Sequence, residues 1–329
     1  MALIRSLIKA IRSRWHWINM SLYEEKILLS VVPPFRLDLT VWALRRRKEN
    51  SFDSWSHGVY QRVLVIKGKP ILIRSRQIES KGEPKIEVTL KGNTPDARTE
   101  ATRIIGRMLG IETNLVDFYR IALSDDKLGP LARRFMGLKP PRFSSLFEAL
   151  VNGICCQQLS LTVGIILLSR LSEKYGLSVP DERMNSFPEP QRLAKATIQE
   201  LRELGLSRQK AVAIIELSEN FARQPLEFRD LEGLDNESVV VRLVPYRGVG
   251  RWTAEYALLR GLGRLNKFPG DDVGARNNLK RWFGIEKPLS YHDVNTIMAK
   301  WHPFEGLIYI HFLLNNLYEQ GFVTEAMGA

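Results

Sequence analysis

The stretch Phe268-Pro269-Gly270-Asp271-Asp272-Val273-Gly274-Ala275-Arg276 sets two carboxylates directly ahead of an amphipathic helical pattern. One aspartate is enough to cap a helix, because its side chain accepts the free N–H groups of the first turn and lies at the positive end of the dipole. The second is then a candidate for chemistry, since a helix N-terminus favours the ionised form that a general base or a cation stabiliser needs. Upstream, Leu243-Val244-Pro245-Tyr246-Arg247-Gly248-Val249-Gly250-Arg251-Trp252-Thr253-Ala254 places Gly-x-Gly in a tight link between one helix and the start of the next. Glycines let backbone come close to a ligand, and unpaired N–H groups at a helix start attract phosphate. With a helix before the link, where a nucleotide fold needs a strand, the pattern reads as a helix-hairpin-helix gripping a nucleic-acid backbone. A glycine corner without a ligand is the alternative.

The charge balance agrees. Among 329 residues, 48 Lys and Arg against 36 Asp and Glu leave a formal charge of +12, the footprint expected for a phosphate-rich partner. Composition alone does not separate nucleic acid from an anionic membrane surface. A hydrophobic fraction of 44% fills real cores and excludes wholesale disorder. Two adjacent cysteines, Cys155 and Cys156, exclude a disulfide framework and a four-cysteine metal site, and read as reduced thiols of an intracellular protein. The longest apolar runs, 27–32 and 163–168, fall far short of the roughly 20 residues a membrane span needs.

The elements that must position these groups fall into two kinds. From Pro33 the text alternates: Phe35, Leu37, Leu39 and Val41, then 59–66, 71–78 and 85–90, with turn residues between. The pattern predicts four short antiparallel strands followed by a helix from about Thr94, an α+β N-terminal antiparallel-sheet domain spanning 31–110. After it the period changes to 3.6, and 111–329 is predicted all-α, in two packed subdomains broken around 176–190 by Gly, Ser and Pro. Residues 1–30 are set apart as an N-terminal extension. Within it, residues 1–19 lack acids and carry Arg5, Lys9, Arg12 and Arg14 beside apolar positions, a basic amphipathic helix pattern. That pattern fits a targeting or membrane-surface helix, or an upstream extension ahead of a start at Met20, and it has no part in the chemistry.

The Gly-Val-Gly hairpin, the Pro-Gly-Asp-Asp turn at this distance, and Phe147-Glu148-Ala149-Leu150 leading into Gln157-Gln158-Leu159-Ser160 together resemble the helix-hairpin-helix DNA glycosylases. Gly137 to Phe143, Leu204 to Ala211 and Trp301-His302-Pro303-Phe304 narrow the resemblance to the 3-methyladenine DNA glycosylase II branch, the alkylbase enzymes, over about 33–321. By motif register the resemblance implies that Asp272 is the catalytic carboxylate and Asp271 its capping neighbour. Bifunctional relatives keep a Schiff-base lysine two residues after the second hairpin glycine, where this chain has Trp252. An indole forms no imine, so the implied reaction is hydrolysis of the N-glycosidic bond without strand cleavage and without metal or organic cofactor.

The resemblance also implies the surroundings. Trp252 and Tyr256 correspond to pocket aromatics that stack on a flipped-out base made cationic by alkylation, with ordinary helix packing as the alternative. A pocket tryptophan of the family falls here at Leu313, beside Phe312 and His311, and an arginine two residues after Pro303 is replaced by Glu305. His311 is expected as a packed core histidine. Gln158, with Leu159 beside it, falls where the residue filling the flipped base's gap belongs. Arg247, Gly248, Val249, Gly250 and Arg251 would meet phosphates, with Lys210 and Arg276 nearby. The expected partner is double-stranded DNA carrying damaged bases, with no obligate protein partner and no membrane. The chain is expected to act as a monomer inside the cell, in the cytoplasm or on the nucleoid, or in the nucleus of a eukaryote. The expected substrates are 3-methyladenine and 7-methylguanine. The alternatives are an oxidised-purine (8-oxoguanine) glycosylase/lyase and a non-catalytic helix-hairpin-helix DNA-binding protein in which Asp272 only caps a helix.

Overall fold

The computed structural model describes residues 23–92 and 97–324. The basic pattern over 1–19 and the predicted helix start at Thr94 lie outside the described residues. Five antiparallel strands form one sheet in the order β1-β5-β4-β3-β2. They are β1 (Tyr23–Ser30), β2 (Ser54–Ser56), β3 (Val59–Ile66), β4 (Lys69–Ser80) and β5 (Glu83–Gly92). The last three match the alternation in the sequence. In β3, Tyr60, Arg62, Leu64 and Ile66 are buried on one face, while Val63 on the other packs with Leu72 beneath Val179.

Two expectations fail here. Residues 35–41 supply no strand: Leu37–Arg45 is a helix, α1. Its alternation arises because it is buried on two sides. Leu37, Val41 and Leu44 join the core under the sheet, whereas Leu39 and Ala43 join the core of the C-terminal helices. Two helical faces offset in this way read as period two over so short a stretch. The missing outer strand is β1, inside the segment set apart as an extension, and it pairs with β5 along its whole length.

Among the described residues the remaining elements are helical, apart from a bridge between Ser178 and Asn185. After α2 (Arg98–Leu109) come α3 (Val116–Leu123), α4 (Leu128–Arg134), α5 (Leu146–Cys156) and α6 (Leu161–Tyr175). Next are α7 (Pro190–Leu193), α8 (Ile198–Glu203), α9 (Arg208–Arg223), α10 (Arg229–Glu232) and α11 (Asn236–Leu243). The chain ends through α12 (Arg251–Ala257), α13 (Val273–Phe283), α14 (Tyr291–Met298) and α15 (Glu305–Glu319). Side-chain caps mark several starts: Ser145, Ser160, Ser207 and Asp235 each accept the N–H three residues on.

One buried ion-pair cluster ties sheet to helices. Arg62 of β3 donates to Asp53 at 2.7 Å and to Glu148 of α5 at 2.6 Å, and all three side chains are essentially without solvent contact. Burial alone would lower the pKa of the guanidinium, and the two carboxylates beside it hold that pKa well above the usual value. Among the described residues no helix is long and apolar enough to cross a membrane.

Candidate active site

Asp272 is positioned by the element it starts. Its backbone is extended and its Oδ1 accepts the amide of Ala275 at 2.8 Å, so it is itself the N-cap of α13. Asp271 is not the cap, contrary to the sequence expectation; it is exposed and pairs with Arg276. The register of one residue decides the matter, because only the last residue before the helix reaches back to the third amide. The second carboxylate oxygen of Asp272 is free of the helix and takes two other donors: Trp252 Nε1 at 3.2 Å and Tyr309 Oη at 3.0 Å.

Trp252 and Tyr256 lie one turn apart on α12, with rings stacked at 5.5 Å and 16°. With Asp272, Phe312, Leu313 and Leu159 they line one cavity of about 250 Å³. The residues expected to hold a base are therefore brought together. Helix α15 contributes a whole face: Tyr309, Phe312, Leu313 and Asn316 follow the i, i+3, i+4, i+7 spacing. Leu313 as a pocket position thus already pointed to Tyr309 one turn before it. Burial and the charge of Asp272 push the Tyr309 hydroxyl well above its ordinary pKa, so it remains a proton donor to the carboxylate. Burial raises the Tyr256 hydroxyl as well.

Three further lining residues were not legible: Arg46, Arg47 and Arg260. Arg45-Arg46-Arg47 reads as a solvated charge run, yet Arg46 is buried. It donates to Tyr256 Oη at 2.8 Å and to Asn152 Oδ1. The Cys156 thiol also lines the cavity, and burial raises its pKa, keeping it protonated.

The hairpin between α11 and α12 exposes Arg247, Gly248 and Gly250 and buries Val249. Gly248 has φ 79° and a Cβ there would stand 2.8 Å from Ala213 Cβ, so both its conformation and its neighbour require glycine. Gln157 Nε2 donates to Gly248 O at 2.8 Å and to Thr253 Oγ1 at 2.7 Å, joining the hairpin to the turn after α5. In that turn Gln158, at φ 54°, and Leu159 are both exposed. A non-glycine residue held in the left-handed region marks a turn that its surroundings over-determine.

The basic candidates prove to be engaged. Arg247 pairs with Glu216 at 2.9 Å, Arg251 with Glu237 at 2.5 Å, and Arg276 with Asp271. Lys210, expected beside a phosphate, directs its amine to the carbonyls of Cys155 at 2.9 Å and Gln157 at 2.7 Å. It closes the end of α5 because those final carbonyls lack helical partners. His311 is the core histidine expected: it is buried between Phe118 and Phe135, its Nδ1 meets Leu307 O at 2.8 Å, and burial lowers its pKa to about 4. Glu305 pairs with His302 at 2.9 Å. Among the described residues no cluster of His, Cys, Asp and Glu could hold a metal ion.

Residues 151–304 match the family model described as HhH-GPD superfamily base excision DNA repair protein. The chain is 25% identical to a DNA-3-methyladenine glycosylase of Bacillus subtilis, over 89% of this chain and 96% of that protein. It is 26% identical to DNA-3-methyladenine glycosylase 2 of Escherichia coli, over 85% and 93%. Among solved structures, a 3-methyladenine DNA-glycosylase from Archaeoglobus fulgidus superposes with a TM-score of 0.75 at 27% identity, covering 90% of this chain and 99% of that one.

Proposed function

We propose that this chain, which belongs to the helix-hairpin-helix superfamily of base excision DNA repair proteins and to its 3-methyladenine glycosylase branch, is a monofunctional DNA glycosylase. It hydrolyses the N-glycosidic bond of alkylated purines, 3-methyladenine and 7-methylguanine, in double-stranded DNA. The observation that carries the reading is one carboxylate, Asp272, fixed at a helix N-terminus beside a stacked aromatic pair within a cavity of about 250 Å³.

A base inside a duplex is out of reach, so the nucleotide must turn out of the stack, at a cost of a few kcal/mol that is least for damaged bases. The base enters against Trp252 and Tyr256, and the gap it leaves is filled from the exposed turn at Gln158 and Leu159. The hairpin at 247–250 grips the phosphates with backbone N–H groups. As the glycosidic bond breaks, positive charge grows on the sugar, and the carboxylate of Asp272 stabilises it while orienting the water that attacks. Trp252 Nε1 and Tyr309 Oη hold one oxygen of that carboxylate and the Ala275 amide holds the other. The group is therefore oriented before substrate arrives and need not reorganise during the reaction. Trp252, standing where a lyase keeps its amine, supports release of the base without strand cleavage. The enzyme acts as a monomer on one lesion at a time.

The test is base release from methylated duplex DNA by the protein and by Asp272→Asn, with strand breaks assayed before and after alkali. Release of 3-methyladenine or 7-methylguanine, breaks only after alkali, and loss of both in the variant are expected. Breaks without alkali would overturn the monofunctional reading. Duplex binding without any base release would move the chain to the binding-only class.

A further inference from the structure

The segment 263–271 delivers Asp272 to the start of α13, and it is fastened close to each helix that supplies a donor to the carboxylate. Lys267 Nζ pairs with Glu255 of α12 at 2.9 Å, one turn after Trp252. Leu265 O accepts the amide of Gly306 in α15 at 2.6 Å, one turn before Tyr309. A Cβ on Gly306 would stand 2.6 Å from Lys267 O, so glycine is what lets the helix backbone come this close. Arg276 of α13 donates from Nε to Gly270 O at 2.6 Å and pairs with Asp271.

A further contact comes from Tyr291, the first residue of α14. A Cβ on Gly270 would stand 2.9 Å from Tyr291 Cδ2 and 3.0 Å from Cε2, so the ring lies directly against the backbone of the turn. Gly270 is not in the left-handed region, and it is therefore the ring, not the conformation, that excludes a side chain here. The hydroxyl of Tyr291 donates to Glu255 Oε1 at 2.6 Å and accepts from Lys267 Nζ at 2.8 Å. With the ion pair these bonds close a triangle in which the Glu255 side chain has no exposure and that of Lys267 has 18%. A buried ion pair often stabilises a fold no better than apolar residues of the same volume, and what its directed bonds add is a fixed orientation. None of Glu255, Lys267, Gly270 and Tyr291 lines the cavity beside Asp272, so the triangle acts on the carboxylate through the turn and not on a base.

We infer that Tyr291, held by Lys267 and Glu255, is a positioning residue for Asp272. Its ring is the surface on which the turn at Gly270 rests, and it sets the place of the carboxylate against Trp252 Nε1 and Tyr309 Oη. The inference deepens the glycosylase reading and rests on it.

The experiment uses the full chain and methylated duplex DNA. Release of methylated purines is followed in single turnover at saturating protein, and duplex affinity is measured separately by fluorescence anisotropy. A misplacement of about 1 Å at a reacting group costs about hundredfold in rate, and Gly270→Ala and Tyr291→Ala are each expected to slow release to that extent with affinity unchanged. Removing the ring makes room for the added methyl. The double variant is therefore expected to be about as slow as Tyr291→Ala alone, whereas independent effects would multiply to about ten-thousandfold. Tyr291→Phe keeps the ring on Gly270 and loses the triangle, and its rate is expected to fall between wild type and Tyr291→Ala. Circular dichroism checks that each variant is folded. Release at the wild-type rate in Gly270→Ala or in Tyr291→Phe overturns the inference, whether or not Tyr291→Ala folds. Slowing matched by an equal loss of affinity, or single effects that multiply in the double variant, overturns it in favour of a purely structural role. No release by the wild-type chain fails the glycosylase reading and this inference together, whereas a fast wild type with equally fast variants fails the inference alone.

Discussion

The indole Nε1 of Trp252 donates to Oδ2 of Asp272 over 3.2 Å, joining residues 20 apart in the chain. On the proposed reading, the position that the resemblance aligns with a lyase's amine nucleophile holds a donor to the carboxylate instead. Tyr309 Oη, at 3.0 Å, is a second donor to the same oxygen.

Trp252→Phe keeps an aromatic ring in the stack and removes the N–H, while Tyr309→Phe removes only the hydroxyl. Each is expected to slow single-turnover base release about tenfold, the ordinary worth of a hydrogen bond to a charged group. The double variant should fall short of the product of the two effects, because both donors serve one acceptor. Rates unchanged in both single variants would show that Asp272 is positioned by its helix alone.

At the hairpin, Gly248→Ala meets two obstacles, φ 79° and a contact of 2.8 Å with Ala213 Cβ. Gly284 has φ 67° and open space around its missing Cβ, so Gly284→Ala suffers the backbone penalty only. Gly284→Ala is expected to lose about 1–2 kcal/mol of stability in urea unfolding, and Gly248→Ala at least as much. Only Gly248→Ala should also lose duplex affinity, by about tenfold, measured by fluorescence anisotropy at fixed salt. Equal loss of affinity in the two would remove the hairpin from the DNA contact.

Glu148→Ala is expected to destabilise the protein by about 3 kcal/mol, at the lower end for breaking a buried pair because Asp53 still partners Arg62. Urea midpoints measure this. A change below about 1 kcal/mol would mean that the cluster does not bind sheet to helices.

His311 sets a pH dependence of stability. Its pKa falls from 6.5 unfolded to about 4 when buried, so between those values the unfolded chain binds a proton that the folded chain refuses. Stability is then fully present above about pH 6.5 and is lost as pH falls towards 4, by about 3 kcal/mol at most. Unfolding of wild type and His311→Leu at pH 7 and pH 4.5 tests it: the variant's stability should change less between the two. Equal slopes would place the titration elsewhere.

What the sequence made legible was local. The carboxylate pair at 271–272 was legible because capping aspartates and a helix start are neighbours in the chain, whereas the choice of Asp272 came from the motif register of the resemblance and the assignment of the cap to Asp271 missed by one residue. Helix α1 was misread as a strand because its two buried faces mimic alternation. Strand β1 was overlooked because Tyr-Glu-Glu-Lys-Ile-Leu-Leu-Ser shows little alternation of its own, and its place is fixed by pairing with β5.

The sequence by itself determined the hairpin, the helix that follows the two aspartates, the aromatic pair one turn apart and the excess of positive charge. Each follows from backbone freedom, capping or helical spacing over a few residues. Only the tertiary structure decided the chemistry of the cavity. Arg46 reaches Tyr256 across 210 positions and Tyr309 reaches Asp272 across 37, and no short-range pattern encodes such meetings. A run of arginines looks like a solvated face until packing removes the water, and it is that burial which turns Arg46 from a surface charge into a wall of the cavity beside Asp272.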